Sequence, residues 1–258
     1  MPFINYRVKE NIRRVAFNEI NIRGGLGTQL FGLASAYFRS QPLHFSRNPS
    51  IVLNIKNALP DAKINYVSAV FENTFQVLSR ESAQKTQVFN SPYFLSDTRL
   101  FLEHRKKFIL NKNQLSKAKR ANAEKIGHVR FGVSHTGDGK IAKRNGSQLS
   151  ILKVIAWTKN DPENRMLVTN SSIDASVLGI QKQQLKNLAD PIEDWFTILN
   201  AREVWANFST FSLSTLLFDP EKKMRVFYDQ DADPEVHQDI KCLQECVKIF
   251  PNLTIEKL

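Results

Sequence analysis

Three short segments of the sequence contain residue types that can hold an anionic ligand. The first is the glycine-rich turn at residues 23–29, where Gly24, Gly25 and Gly27 let the backbone turn tightly and come close to a ligand. A helical pattern follows directly, and the backbone amides at a helix N-terminus favour an anion. The turn lacks the Gly-Lys-Ser/Thr ending of a Walker A loop and the third glycine of a dinucleotide fingerprint. An ordinary strand-to-helix turn therefore stays open as the alternative.

The second segment, at residues 128–132, reads His-Val-Arg-Phe-Gly and places an arginine at the end of a short β-type run. A guanidinium is always charged and binds two oxygens at once, so Arg130 is a candidate for holding a phosphate. Its apolar neighbours imply an anionic partner, which is either a ligand or an internal carboxylate. His128 is a candidate general base or a core histidine, and the core role is favoured. His135 and Asp138, in the loop that follows, are candidates for catalysis.

The third segment groups hydroxyl side chains at a predicted turn between a strand and a short helix. It contains Ser209, Thr210 and Ser212 around Phe211. Hydroxyls at such a turn bind phosphate or ribose oxygens, or they cap the helix. Capping alone is the simpler interpretation of these residues.

The elements that would position the three segments alternate along the chain. Runs of β-type residues predict strands at 14–22, 51–55, 64–70, 126–133, 165–169, 204–208 and 224–228. Helical patterns predict helices at 30–38, 99–120, 147–157 and 192–199, and a last helix that starts at Asp233-Pro234. This alternation predicts an α/β fold with largely parallel sheets. We expect two domains, at residues 1–122 and 123–258.

The positive charge of the chain is concentrated in one segment. The 258 residues carry a net charge of +11, and residues 105–144 hold twelve Lys or Arg against two acidic residues. Such a segment predicts an anionic partner: nucleotide phosphates, a membrane surface or nucleic acid. A solvated basic helix is the alternative, and we favour it for residues 106–120.

Composition excludes several classes of protein. With 42% hydrophobic and 24% charged residues, the chain is not a wholly disordered one. No apolar run approaches the roughly 20 residues of a membrane-spanning helix, and the N-terminus shows no signal pattern. We therefore expect a cytoplasmic protein, with peripheral membrane contact possible through residues 105–144. Cys242 and Cys246 share one helix face and are expected to be buried free thiols, because no His or Cys cluster completes a zinc site.

The three segments resemble motifs of one enzyme family. Residues 23–31, Arg-Gly-Gly-Leu-Gly-Thr-Gln-Leu-Phe, resemble the Gly-Gly-Leu-Gly-Asn-Gln-Leu/Met-Phe opening of the α-1,2-fucosyltransferase family. Residues 128–132 resemble its His-x-Arg-Arg-Gly-Asp motif and the His-Leu-Arg-Ile-Gly form of related protein O-fucosyltransferases. Residues 194–212 resemble its Asp-Leu-x-Leu-Met and Asn-Ser-Thr-Phe-Ser-Trp-Trp segment. The matches occur in family order and span most of the chain.

The resemblance implies a GT-B fold, in which two Rossmann-like domains face each other across a cleft. It implies transfer of fucose from GDP-fucose to a glycan hydroxyl, with inversion at the anomeric carbon and with no required metal or other cofactor. The expected partners are then a nucleotide sugar and a glycan acceptor, and no nucleic acid. Arg130 would bind the pyrophosphate, and Asp138 and His135 are the candidates for the remaining catalytic roles. The implied donor-binding residues are Gly24, Gly25, Gly27, Gln29, His128, Arg130, Ser209, Thr210, Phe211 and Ser212.

The sequence departs from the family pattern at several positions. Thr28 replaces an asparagine, Phe131 replaces the second arginine, Val133 replaces the acidic residue, and Leu213 and Ser214 replace the tandem tryptophans. Three alternatives stay open: the same fold with another nucleotide-sugar donor, a non-catalytic relative that only binds sugar, and a basic nucleic-acid-binding protein. The last lacks any RNP, KH or zinc-finger pattern.

Overall fold

The computed structural model describes residues 19–21, 25–40, 51–54, 66–72, 75–78, 101–103, 105–120, 123–131, 134–135, 141–142, 148–170, 173–187, 190–228, 243–244 and 246–258. The strands are β1 (Glu19–Asn21), β2 (Ile51–Asn54), β3 (Phe75–Leu78), β4 (Lys125–Val129), β5 (Ser134–His135), β6 (Ile141–Ala142), β7 (Arg165–Thr169), β8 (Leu185–Asn187), β9 (Glu203–Asn207), β10 (Lys223–Tyr228) and β11 (Leu253–Lys257). The α-helices are α1 (Leu26–Ser40), α2 (Tyr66–Val70), α3 (Lys112–Arg120), α4 (Gln148–Lys159), α5 (Ala175–Leu178), α6 (Pro191–Asn200) and α7 (Thr210–Leu213). Short 3-10 turns lie at Arg105–Lys107, Lys182–Gln184 and Ser214–Leu217.

The larger sheet has six parallel strands in the order β11-β10-β9-β4-β7-β8. The chain starts in the middle at β4, moves outward through β7 and β8, and returns to the other side of β4 for β9, β10 and β11. This is the order of a doubly wound sheet, in which ligands bind outside the carboxyl ends of the strands where the direction of winding reverses. That switch point lies between β4 and β9. The predicted α/β fold with parallel strands is confirmed.

Helices cover both faces of the larger sheet. The face that we call the α1 face packs against α1, α6 and α7, and its core includes Ile126, Val204 and Val226. The face that we call the α4 face packs against α4, and its core includes Val129 and Leu167. Successive residues of a strand point to opposite faces, so β4 contributes to both cores.

A smaller parallel sheet, in the order β1-β2-β3, precedes residue 123. Helix α1 follows β1 in the chain. It packs against α2, α7 and the 3-10 turn Ser214–Leu217. The predicted boundary at residues 122 and 123 thus falls between the two sheets. The division into two domains that face a cleft stays a prediction.

Most predicted elements of the second half are confirmed, including the strand at 165–169 and the helix that Asp190 and Pro191 begin. The prediction of a strand at 64–70 is wrong, because residues 66–70 form α2. Its β-branched residues suggested a strand, but Val67 and Val70 are buried at helical spacing. The predicted helix at 99–120 is interrupted at residues 108–111, where Leu110 forms a β-bridge to Phe71.

Several further predictions have a partial outcome. The strand predicted at 14–22 is described only at residues 19–21, and that predicted at 126–133 ends at Val129. Cys246 is buried, as predicted, and forms no disulfide with a described residue, whereas Cys242 lies outside the described residues. In the part of the chain that the structure describes, no helix is long and apolar enough to cross a membrane.

Candidate functional site

A cavity of about 180 Å³ lies at the carboxyl ends of β4, β7 and β9. Its walls come from the start of α1, the residues that follow the three strands, and the starts of α2, α6 and α7. The described lining residues are Gly25, Leu26, Gly27, Thr28, Tyr66, His128, Arg130, Asn170, Pro191, Thr210 and Phe211. None of these residues carries a carboxylate. Residues from all three sequence segments therefore meet at the switch point of the sheet.

Arg130 is the first residue after β4. It follows His128 at a spacing of two, so both side chains point toward the α1 face. The side chain is half-buried, and burial lowers the pKa of the guanidinium from its usual value. Arginine nevertheless stays charged at neutral pH. No carboxylate among the described residues forms an ion pair with Arg130, so the internal partner that the sequence left open is not found there.

Two asparagine side chains hold the backbone at Arg130 and Phe131. Asn207 Oδ1 accepts from the Arg130 amide at 3.0 Å, and Asn207 Nδ2 donates to the Arg130 carbonyl at 3.1 Å. Asn170 Oδ1 accepts from the Phe131 amide at 2.8 Å, and its Nδ2 donates to the Phe131 carbonyl at 3.3 Å. The two residues beyond β4 are thus fixed from opposite sides.

The start of α1 forms another wall of the cavity. Its first intrahelical backbone bond runs from the Gln29 amide to the Gly25 carbonyl at 3.1 Å, and the amides before Gln29 are the ones that a helix N-terminus leaves unpaired. The helix is 15 residues long, so the partial positive charge at this end is developed. An anion in the cavity would meet these amides and Arg130 together.

The two described glycines of the turn differ in what surrounds them. A Cβ added at Gly25 would meet nothing within 4 Å. A Cβ added at Gly27 would overlap the Thr210 carbonyl and lie 2.5 Å from the Phe211 amide nitrogen. Glycine at position 27 therefore lets α1 and α7 touch backbone to backbone, which closes one side of the cavity.

Only part of the hydroxyl segment reaches the cavity. Ser209 is the N-cap of α7, where its Oγ accepts from the Phe211 amide at 3.2 Å. Ser212 is buried, and its Oγ donates to the Ser209 carbonyl at 3.3 Å. Thr210 and Phe211 line the cavity instead, and Thr210 Oγ1 lies 3.4 Å from Thr28 Oγ1 across the junction of α1 and α7.

His128 is a wall residue with 2% of its surface exposed. Its ring stacks on Phe211, with 5.4 Å between ring centroids. Burial, and to a lesser extent the charge of Arg130, lowers the pKa of His128 to about 3. The ring is therefore neutral at physiological pH and too weak a base to accept a proton there. Within the described part of the chain, its buried Nδ1 has no hydrogen-bond partner.

Gln29 is not among the described residues that line the cavity, and its side chain makes a structural contact instead. It is buried, and its Oε1 accepts from the amide of Tyr66 at 3.1 Å, which ties α2 to α1. Gly24 and Asp138 lie outside the described residues, and His135 lies in β5. The roles of these residues stay predictions.

The sequence reasoning missed Asn170 and Asn207. Asn170 directly follows β7, and Asn207 is the last residue of β9. A polar residue at the carboxyl end of a buried parallel strand is the signal that would have found both.

Asp194, on α6, is another buried ionisable residue on the α1 face. It is 1% exposed, and neither of its oxygens has a hydrogen-bond partner among the described residues. Lys186 Nζ lies 3.6 Å from Oδ1 and bonds instead to Glu193 and Thr197, at 2.9 Å each. Burial raises the pKa of Asp194 to about 7, although the charge of Lys186 acts in the opposite direction.

One acidic run in the sequence bears on the expected absence of a metal. Asp229, Asp231 and Asp233 alternate directly after β10 and lie outside the described residues. Closely spaced carboxylates of this kind are ligands that Mg²⁺ and Mn²⁺ accept. Among the residues that are described, no group of three or more His, Cys, Asp or Glu side chains could hold a metal ion.

No protein-family model matches this chain, and no curated protein or solved structure does so either.

Proposed function

We propose that this chain is a GT-B glycosyltransferase that transfers fucose from GDP-fucose to a glycan hydroxyl. In this proposal the cavity at the carboxyl ends of β4 and β9 binds the diphosphate of the donor. The observation that carries it is that Arg130 and the N-terminus of α1 share one cavity whose described lining lacks a carboxylate. The choice of fucose rests on the motif resemblance of residues 23–31, 128–132 and 194–212.

The size of the cavity supports assigning the diphosphate to it. Its volume of about 180 Å³ is below the roughly 300–1,000 Å³ that is typical of sites enclosing a whole drug-sized ligand. It suits one part of a nucleotide sugar, and its positive groups suit the charged part. Phe211 and Tyr66 add aromatic surface to the lining, and we propose that it contacts the remainder of the donor.

The chemistry that we propose is a single displacement. The acceptor oxygen bonds to the anomeric carbon, the bond from that carbon to the diphosphate oxygen breaks, and its electron pair passes to the diphosphate. Arg130 and the α1 amides offset the negative charge that develops there. The acceptor proton passes to a base, for which His135 and Asp138 are the candidates. His128 is unsuited to that role, because its pKa is about 3.

A thermal-shift panel tests the ligand class. GDP, UDP, CDP and a short RNA are each added to the full chain, and we expect GDP alone to raise the melting temperature. A ligand at about 100 times its Kd stabilises the fold by roughly 2.7 kcal/mol. A shift with UDP or CDP instead would favour another donor. A shift with RNA alone, lost steeply as salt rises, would favour the nucleic-acid-binding alternative.

Release of GDP from GDP-fucose tests the reaction itself, with and without acceptor glycans. We expect turnover in EDTA, and a reaction that starts only on addition of Mg²⁺ or Mn²⁺ would contradict the metal-independent version. GDP binding without donor cleavage under any of these conditions would favour the non-catalytic relative.

A further inference from the structure

The buried Asn207 side chain extends the central sheet by one residue at the point where the main chains separate. The last paired residues are His128 with Ala206 between β4 and β9, and Val129 with Thr169 between β4 and β7. On its other side β9 stays paired with β10, and the Phe208 amide continues that ladder by donating to the Phe227 carbonyl at 3.1 Å. The main-chain pairing of β4 with β9 does not extend to residue 130.

The Asn207 amide group takes the place of that missing peptide. A primary amide supplies one acceptor and a donor in one plane, as a peptide group does. Asn207 uses both on the same residue, the amide and the carbonyl of Arg130. The side chain is 0% exposed and is not among the described residues that line the cavity. Both of these side-chain hydrogen bonds go to Arg130, so we expect an effect of Asn207 on a ligand to pass through that residue.

Asn170 completes the arrangement from the β7 side. It binds the amide and carbonyl of Phe131 with the same pair of atoms. In an extended chain the N–H and C=O groups of successive residues point to opposite sides. Residues 130 and 131 are thereby held as a continuation of β4, which keeps the Arg130 side chain on the face where His128 already points.

We propose that Asn207 is a positioning residue that fixes the backbone of Arg130, so that its guanidinium is presented to the diphosphate in the cavity. This inference rests on the proposed function. Because no described carboxylate orients the half-buried guanidinium, the hydrogen bonds that hold its backbone are the contacts that we expect to set its direction. Small displacements of such a group have large effects on catalysis, since a shift of about 1 Å can lower the reaction rate roughly 100-fold.

The test compares Asn207→Ala with a matched control, Gln184→Ala. Gln184 is also buried, and its side-chain amide also holds backbone groups, accepting from Gln181 at 3.0 Å and donating to Thr158 at 3.1 Å. It is not among the described residues of the cavity. Both variants lose buried hydrogen bonds, so both should be less stable than the wild type. The affinity for GDP is measured by calorimetry well below both melting temperatures.

We expect Asn207→Ala to weaken GDP binding at least 10-fold and Gln184→Ala to leave it within about 2-fold. In a double-mutant cycle, Asn207→Ala should have no further effect when Arg130→Ala is already present, because it acts through that residue. Amide exchange should show that the Arg130 N–H loses its protection in Asn207→Ala.

Three outcomes would overturn the inference. One is normal GDP affinity in Asn207→Ala, the second is equal weakening in Gln184→Ala, and the third is full additivity in the cycle. If the wild type binds no nucleoside diphosphate at all, both the proposed function and this inference are wrong. If the wild type binds GDP and only the Asn207 results disagree, the positioning role alone fails.

Discussion

The arginines on the two faces of the six-stranded sheet differ in whether a described residue forms an ion pair with them. On the α4 face, Arg165 lies 3.5 Å from a carboxylate oxygen of Asp161, and Arg225 lies 3.7 Å from one of Glu256. Each guanidinium also covers a tryptophan ring, at 4.4 and 4.6 Å from the ring centroid. Both arginines therefore have an ion-pair partner and an aromatic partner within the protein.

On the α1 face Arg130 has no carboxylate partner among the described residues. Asp194 lies 3.6 Å from Lys186 Nζ, but its oxygens and the Nδ1 atom of His128 have no hydrogen bond among those residues. Burying charged or polar groups in this state is unfavourable. An arrangement that the fold does not need for its own stability is the kind that a ligand-binding site retains.

If cavity volume were the only criterion, the candidate site would lie on the α4 face. A more open groove of about 670 Å³ lies beside α4, and its lining is largely apolar. Its charged residue, Lys153, donates to Glu256 at 2.7 Å. The two cavities differ in their charged residue: Lys153 forms an ion pair with Glu256, whereas Arg130 forms none with a described residue.

The largest expected effect is the loss of binding in Arg130→Met, with Arg165→Met as the matched variant on the α4 face. We expect Arg130→Met to reduce GDP binding and transfer by about 10²–10³. Its stability to urea should stay equal or rise, because the change removes a partly buried charge that has no ion-pair partner among the described residues. Arg165→Met should lower stability and leave GDP affinity unchanged. Urea titration and calorimetry measure the two quantities. A folded Arg130→Met protein with near-normal transfer would refute the assignment.

The next effect is structural and concerns Gly27→Ala. Its Cβ would collide with the backbone of α7, and forcing atoms into a packed site costs about 1–3 kcal/mol. We expect a lower melting temperature and weak GDP binding, because α1 must move away from the cavity. Gly25→Ala is the control, since its Cβ meets open space. Equal stability of the two variants in thermal unfolding would contradict the close contact.

A smaller effect depends on pH and concerns Asp194→Asn. The folded protein holds the Asp194 proton up to a pKa of about 7, whereas an unfolded aspartate loses it near roughly 3.9. The wild type should therefore lose stability as the pH rises through this window, and the asparagine variant should not. The difference in unfolding free energy should favour the variant increasingly from pH 4 to 7, by up to about 1.4 kcal/mol per pH unit.

Urea titrations of both proteins at several pH values check this difference. His128, whose pKa is lowered to about 3, gives the opposite slope in both proteins and cancels in the comparison. A difference that stays constant with pH would show that Asp194 is ionised in the folded protein.

The smallest effect is expected for Arg225→Met, on the α4 face. Its ion pair with Glu256 is partly exposed, and such pairs contribute about 0–1 kcal/mol. We expect a small loss of stability in urea that shrinks at high salt, with unchanged GDP affinity. Weaker GDP binding in Arg225→Met would break the contrast between the two faces.

Many helices and strands in the second half of the molecule could be predicted from local sequence patterns. The strand at 165–169 is a short β-rich run, and the start of α6 is marked by Asp190, whose side chain accepts from the Ile192 amide at 2.9 Å. The helix at 66–70 could not, because Val67 and Val70 have β-type side chains and only packing against the core decides the backbone there. The sequence also could not show that Thr210 lines the cavity while Ser209 and Ser212 do not. All three carry hydroxyls, and only the fold decides which of them faces the cavity.

The sequence by itself determined the class of the fold and the types of residue at the candidate site, because strand periodicity, helix caps and glycine turns act over a few neighbouring residues. Only the tertiary structure decided which of those residues meet. Gly27 and Arg130 are far apart in the chain, and Asn207 is a further 77 residues away. Their meeting depends on the order of strands in the larger sheet and on the contact between α1 and α7. These are long-range contacts, and their free energy is distributed over many residues. Local sequence patterns therefore do not reveal them.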